Sequence, residues 1–200
     1  MTSRIAKTAI VYPNVTLGED TIVEDYCIIG HPLTDGSTPA TVIGKNAHIR
    51  AMTIIYAGNQ IGDHFQTGNK ANIRENNHIG NDVSIGTLSV VEHHVKIGNG
   101  VRIHTSAFIP EYTELKDGSW IGPHAVLTNA KIPKSPDAKK NLKGPIVEKN
   151  AIIGANTTLS PAIHIGENSL LGSGTNAIQS IAANVIVTEK IQHRITERIK

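Results

Sequence analysis

Aromatic residues and cysteine are scarce in this sequence. Phe, Trp and Tyr make up 4% of its 200 residues, which argues against a core assembled around large rings and for one of stacked aliphatic side chains. A single cysteine, Cys27, excludes an intrachain disulfide framework and fits a reducing compartment, with the thiol as a small buried residue. An excess of charge of one sign is missing too. The 19 Lys and Arg stand against 17 Asp and Glu, a net charge of +2, too little to point to nucleic acid or a membrane surface. The opening MTSRIAKTAI has no apolar stretch long enough for a signal peptide or a spanning helix, so the cytoplasm is the expected location.

What the sequence has instead is a period of six. From Ile43 to Leu127 a large aliphatic residue returns at every sixth position, through Ile49, Ile55, Ile61, Ile73, Ile79, Ile85, Val91, Ile97, Ile103, Ile109, Leu115 and Ile121, with Thr67 the one polar member. Six is the period of neither a helix nor an alternating strand. It fits a chain that runs straight for a few residues, turns a corner and repeats, three such faces closing one triangular coil of a parallel β-helix. Glycine often follows the aliphatic residue (Gly44, Gly62, Gly80, Gly98), where a bend leaves no room for Cβ. Polar turn formers such as Asn81-Asp82 come next, and then a small or β-branched residue suited to a narrow interior, with Asn59, Phe65 and Asn77 departing from that rule.

The same register precedes the main run at Leu17, Val23 and Ile29, and follows it at Ile153, Leu159, Ile165, Leu171 and Ala177. Two breaks of loop composition separate these blocks. The first spans about residues 34–41; the second, about 131–145, holds three prolines and five lysines. Beyond about Ser180 the rhythm fades into a tail over 180–200, where Ile191, Ile195 and Ile199 stand four apart as on a short basic amphipathic helix. A continuous repeat predicts one all-β domain over residues 1–200.

The hexads, the run IGPHAVLTNAKIPKS, the lysine-rich loop and the run IVEKNAIIGANTTLSPAIHIGENSLLGSGTNAI together resemble the hexapeptide-repeat acyltransferases. That resemblance implies a left-handed parallel β-helix; the hand comes from the resemblance alone, since parallel connections are ordinarily right-handed. Within the family the chain is most similar to N-acetyltransferases of nucleotide-linked amino sugars, enzymes of cell-surface polysaccharide precursors. The resemblance further implies a homotrimer, acetyl-CoA as co-substrate in a groove between subunits, and no metal, nucleic-acid or membrane partner. Asn129, closing LTN, matches the FTN asparagine that such enzymes place near the acceptor amine, with Thr128 and Lys134 beside it as substrate-binding candidates. Small residues in GAN and GSG, Ala155 and Ser173, would pass the pantetheine arm. The family's usual G-x-P-A tail is replaced by VIVTEKIQHRI, where Lys190 and Arg194 are candidates for the CoA phosphates.

A histidine base is the competing mechanism, and His104 is its candidate because it takes a bend position that otherwise favours glycine. That arrangement would suit an O-acetyltransferase acting on a sugar hydroxyl. Ten histidines also raise a metal enzyme of the γ-carbonic anhydrase kind. However, His48 and His78, His64 and His94, and His94 and His124 are each five hexads apart and should fall on different faces, while His93 and His94 should point apart along an extended strand. A noncatalytic β-helix is the remaining class, and the long basic loop speaks against it. Lys134, Lys139, Lys140 and Lys143 on that loop suit an anionic substrate such as a diphosphate.

Overall fold

The computed structural model describes residues 3–188, and these form a three-sided parallel β-solenoid. Strands of mostly two residues visit three sheets in strict rotation, giving sheets of 10, 9 and 8 strands that we call faces A, B and C. All pairings are parallel. A full coil takes eighteen residues, so the hexad aliphatics stack in register, Ile85 on Ile103 on Ile121 in face A and Val91 on Ile109 in face B. This is the all-β architecture expected, in agreement with the left-handed β-helix. No helix among the described residues is long and apolar enough to cross a membrane.

The interior is a set of aliphatic ladders. Ile49, Ile55, Ile73, Ile85, Ile109 and Ile121 are all fully buried, and each contributes roughly 1.5–3 kcal/mol relative to an exposed side chain. The three departures at the small interior position are accommodated as well. Phe65 is buried in the same core. Asn59 and Asn77 form a polar ladder instead. Asn59 Nδ2 donates to the carbonyls of Tyr56 and Arg74, at 2.7 and 2.8 Å, and its Oδ1 accepts from Asn77 N–H. Asn77 repeats the pattern, donating to Arg74 O at 2.8 Å and accepting from Val95 N–H at 2.7 Å. Buried amides are stable there because their polar atoms are used.

The corners follow a fixed recipe. The third residue after the aliphatic one takes a left-handed conformation, as at Asn46, His64, Asp82, Gly100 and Gly118, and Asn, Asp and Gly are the residues that adopt it at least cost. At the corner from C to A, side chains stitch successive coils: the Oδ1 atoms of Asp63, Asn81, Asn99 and Asp117 accept from the backbone N–H of Lys45, Asp63, Asn81 and Asn99. Gly86 shows why glycine precedes such turns. A Cβ there would lie 2.4 Å from Thr105 N and 2.5 Å from His104 C on the next coil.

Both insertions leave from the same corner, the one from B to C. The first occupies residues 32–40, because strand pairing continues through His31 and resumes at Thr41, so Thr41 belongs to the coil and not to the loop as expected. The second begins directly after Leu127, carries one 3-10 turn at Ala138–Asn141 and returns at Ile146. Neither breaks the stacking: Ile29 still pairs with Ile55, and Leu127 with Leu159. The solenoid also runs further than the hexads suggested. Ile5 and Val11 pair with Val23 and Ile29 at the start. At the other end Ile181 bridges to Ile165 and Val187 pairs with Leu171, so the rhythm does not end near Ser180. It goes on through a coil shortened by two residues, which hides it from a strict count of six. The helix expected around Ile191, Ile195 and Ile199 lies outside the described residues.

Outward side chains give the faces different characters. Face C presents Gln60, His78, Lys96 and Glu114. Face B presents Ile10, Ile28, Ile54, Val90, Phe108 and Val126, interrupted by Asn72 and giving way to Thr158 and Asn176 in its last two strands. Ile10, Phe108 and Val126 of this stripe are exposed.

Candidate active site

The B-to-C corner departs from the recipe. At the bend position, where glycine is common on the other two corners, it carries Tyr12, Tyr56, Arg74, Glu92, Pro110, Thr128 and Ser160, with Gly30 the exception just ahead of the first insertion. These residues and their neighbours form a continuous polar and aromatic strip between the two insertions. Tyr12, His31 and Tyr56 stand ring against ring at 6.2 and 4.8 Å, and the Arg74 guanidinium lies 4.9 Å above the Tyr56 ring. Arg74 grips Glu75 with two hydrogen bonds, at 2.9 and 3.1 Å, and reaches Glu92 at 3.6 Å.

Next along the strip are His93 and His94. The structure corrects the expectation that they point apart: His94 is in a left-handed turn, not in an extended strand, and the two Nδ1 atoms meet at 2.8 Å, one ring donating to the other. His93 Nε2 faces Glu111 Oε1 at 3.5 Å, and Tyr112 packs against both rings. The other oxygen of Glu111, Oε2, accepts a 2.5 Å hydrogen bond from Asn129 Nδ2. One carboxylate therefore holds both an imidazole and the asparagine singled out from the sequence. With its nitrogen engaged, Asn129 is left with Oδ1 as its acceptor atom.

Charge is tuned along this strip. Burial is the largest influence on the Glu75 carboxyl and pushes it up, but the Arg74 hydrogen bonds, its own backbone N–H and the charges of Arg74 and His93 together hold the group below its ordinary range. At Glu92 burial prevails: it raises the carboxyl, Arg74 opposes and Glu111 adds to the rise.

Asn129 also borders a cavity of about 320 Å³ beneath the second insertion, lined by Lys131, Ile132, Ser135, Asn141, Lys143, Pro161 and Ala162 among others. The neck of the loop is pinned, since Lys143 N–H donates to Asn129 O and Ala162 N–H donates to Lys143 O, both at 2.9 Å. Gly144 permits this return: a Cβ on it would come within 2.5 Å of Thr113 N. Thr128 spends its hydroxyl proton on Leu159 O at 2.8 Å, a bond from coil to coil. Lys134 is exposed and lines an adjoining outer recess with Lys139 and Lys140, the two hollows sharing Ala130, Ser135 and Ala138.

His104 lies elsewhere. It stands at the A-to-B corner with its ring centroid 4.4 Å from that of Trp120, beside a recess of about 270 Å³ lined in part by Arg50, Ser84 and Arg102. Ala155 and Ser173 occupy later coils of this same corner, Gly122 abutting Ala155 and Gly154 abutting Ser173. The sequence candidates thus divide between the two edges that flank face B, with Asn129, Thr128 and Lys134 on one and His104, Ala155 and Ser173 on the other. Lys190 and Arg194 lie outside the described residues. Among the described residues no three His, Cys, Asp or Glu side chains gather as a metal site, and His48 and His78 fall in different sheets. His93 and Glu111 were missed in the sequence; the signal available was the absence of glycine at every third bend from Tyr56 to Ser160.

Comparison with known proteins agrees with this architecture. Residues 78–111, which include His93, His94 and Glu111, match the family described as bacterial transferase hexapeptide (six repeats). A galactoside O-acetyltransferase of Lactococcus lactis subsp. lactis (strain IL1403) is 33% identical over 70 residues, covering 33% of this chain and 34% of that protein. The UDP-N-acetylglucosamine acyltransferase from Campylobacter jejuni superposes with a TM-score of 0.57 at 18% identity, over 92% of this chain and 66% of that one. The chain thus spans about a third of the curated relative it matches. In its six-residue repeat and its three-sided solenoid this chain is similar to the bacterial transferase hexapeptide family and shares the fold of that acyltransferase.

Proposed function

We propose that the protein is an acetyl-CoA-dependent N-acetyltransferase acting on an amino group of a nucleotide-linked amino sugar, in the making of cell-surface polysaccharide precursors. The observation that carries this reading is the Glu111–Asn129 pair at the mouth of the loop cavity. Asn129 Oδ1 accepts an N–H of the acceptor amine and aims its lone pair at the thioester. The amine nitrogen attacks the carbonyl carbon, the C–N bond forms and the oxyanion collapses. The C–S bond then breaks, CoA leaves as thiolate, and the proton released by the amine is taken up by a base. The base we propose is His93, which shares Glu111 with Asn129 and would accept the proton at Nδ1 in exchange for its bond to His94. Alignment of two bound reactants supplies much of the remaining acceleration.

The division of candidates between two edges supports a homotrimer. With the apolar face B of each subunit turned to a threefold axis, cyclic symmetry sets the B-to-C edge of one subunit against the A-to-B edge of the next. Asn129, His93 and Glu111 then meet His104, Ala155 and Ser173 of the neighbour, and acetyl-CoA lies in the groove between them. A second reading, O-acetylation of a sugar hydroxyl, is favoured by the galactoside O-acetyltransferase similarity and by the His104–Trp120 stack on the cofactor edge. Thiol release from acetyl-CoA with a panel of UDP- and dTDP-linked amino sugars and matching hydroxyl acceptors, run on the native protein and on Asn129→Ala, His93→Ala and His104→Ala, separates the two. N-acetylation expects release dependent on an amino sugar and impaired in Asn129→Ala. Hydroxyl-dependent release that requires His104 and spares Asn129 would reverse the choice.

A further inference from the structure

The loop lysines, all exposed, fall into two groups. Lys134, Lys139 and Lys140 line the outer recess, whereas Lys131 and Lys143 line the cavity that Asn129 borders, where the Lys143 backbone N–H donates to Asn129 O. On the other side of Asn129, one coil earlier and beyond, stand Glu111, Glu92 and Glu75. Asn129 therefore sits on a boundary between a carboxylate-rich strip and a cationic cavity.

We infer that this boundary fixes the direction in which the acceptor binds: its amine lies on the Glu111 side and its phosphate-bearing end lies under the loop, held by Lys131 and Lys143. The inference rests on the acyltransfer reading above and adds to it a specificity determinant. An acceptor entering the other way would set its phosphates against the Glu111 carboxylate and its amine, in the protonated form that arrives from water, against two lysines, so like charges would meet at both ends. At about 320 Å³ the cavity is at the small end of ligand sites, sized for part of the acceptor. The remainder of a nucleotide would extend along the outer recess, where Lys134, Lys139 and Lys140 face solvent and are screened.

The test compares a UDP-linked amino sugar with the methyl glycoside of the same amino sugar, using native protein and the Lys131→Gln, Lys143→Gln double variant. With charge-assisted contacts to both lysines, kcat/KM for the UDP-linked acceptor falls about ten- to a hundredfold in the variant, while that for the glycoside stays near native. An equal loss on both acceptors, or a native enzyme indifferent to the phosphates, would overturn the inference and leave acyltransfer standing. Titration with UDP against uridine distinguishes the opposite failure. UDP binding that the double variant loses, with no acyl transfer to any acceptor, keeps the anion subsite and sinks the transferase reading. Equal binding of UDP and uridine by the native protein sinks the subsite.

Discussion

Replacing Glu111 separates positioning from chemistry at the candidate site. Its carboxylate accepts from Asn129 Nδ2 at 2.5 Å and faces His93 at 3.5 Å, with its side chain mostly shielded from solvent. A hydrogen bond to a charged group contributes roughly 1.5–3 kcal/mol, and one between neutral groups roughly 0.5–1.5. Glu111→Gln keeps an acceptor for Asn129 and loses only the charge, about 1 kcal/mol, or roughly fivefold in kcat/KM. Glu111→Ala removes the anchor altogether, and the loss rises to roughly 2–3 kcal/mol, about thirty- to a hundredfold. The assay is acetyl-CoA thiol release at saturating acetyl-CoA with an amino-sugar acceptor, with melting curves to confirm that each variant folds. A folded Glu111→Ala enzyme within about twofold of native would refute the argument that Asn129 is held for catalysis, because the loss expected on removing a charged partner is well above that.

Further outcomes follow from the coils themselves. Asn77→Ala strips the partner from Val95 N–H inside the solenoid, while Arg74 C=O keeps its bond from Asn59, and chemical denaturation should show a loss of about 1–3 kcal/mol. Gly86→Ala puts a Cβ 2.4 Å from Thr105 N, so its denaturation midpoint should fall markedly, whereas the same change at Gly36, with open space around it, costs only the strain of its positive φ. The hydrogen bond from His48 holds the Glu24 carboxyl below its ordinary range, helped by Ala51 N–H. That stabilisation is present above the ordinary carboxylate value, about pH 4.3, and is lost as the pH falls through the lowered one, so Glu24→Gln should flatten the acid limb of a stability–pH curve. Glu92, raised by burial, has the opposite sign. Its contribution is complete at low pH and lost as the pH rises through the raised value, so Glu92→Gln should gain stability at pH 7 and none at pH 4.

The solenoid was legible in the sequence because its coil is periodic and each hexad position answers one physical demand. Ile85, Ile103 and Ile121 must fill one ladder, and Gly86 must let the next coil approach. The last coil escaped notice because it is two residues short, which hides Ile181 and Val187 from a strict count of six although they pair as the others do. The site was legible only in part. Asn129 was singled out as a candidate from its motif, but its hydrogen-bond partner Glu111 lies one coil away and looks in the sequence like any corner acid. His93 was misjudged because strand alternation was applied to a turn, where the left-handed His94 folds the second ring back on the first. That Asn129 and His104 stand on different edges follows from which corner each occupies, and a count of hexads in threes would have given it.

The most direct test of the account is subunit complementation. Asn129→Ala disables the B-to-C edge, and Ala155→Trp blocks the A-to-B corner proposed to hold the cofactor. Each variant alone should be inactive while still binding its own kind. If the site is shared across subunits, trimers assembled from an equal mixture recover about a quarter of native thiol release, because an intact B-to-C edge then faces an intact A-to-B edge at that frequency in a closed ring. If each chain carries a whole site, every subunit in the mixture holds one lesion and no activity returns, which would contradict the account.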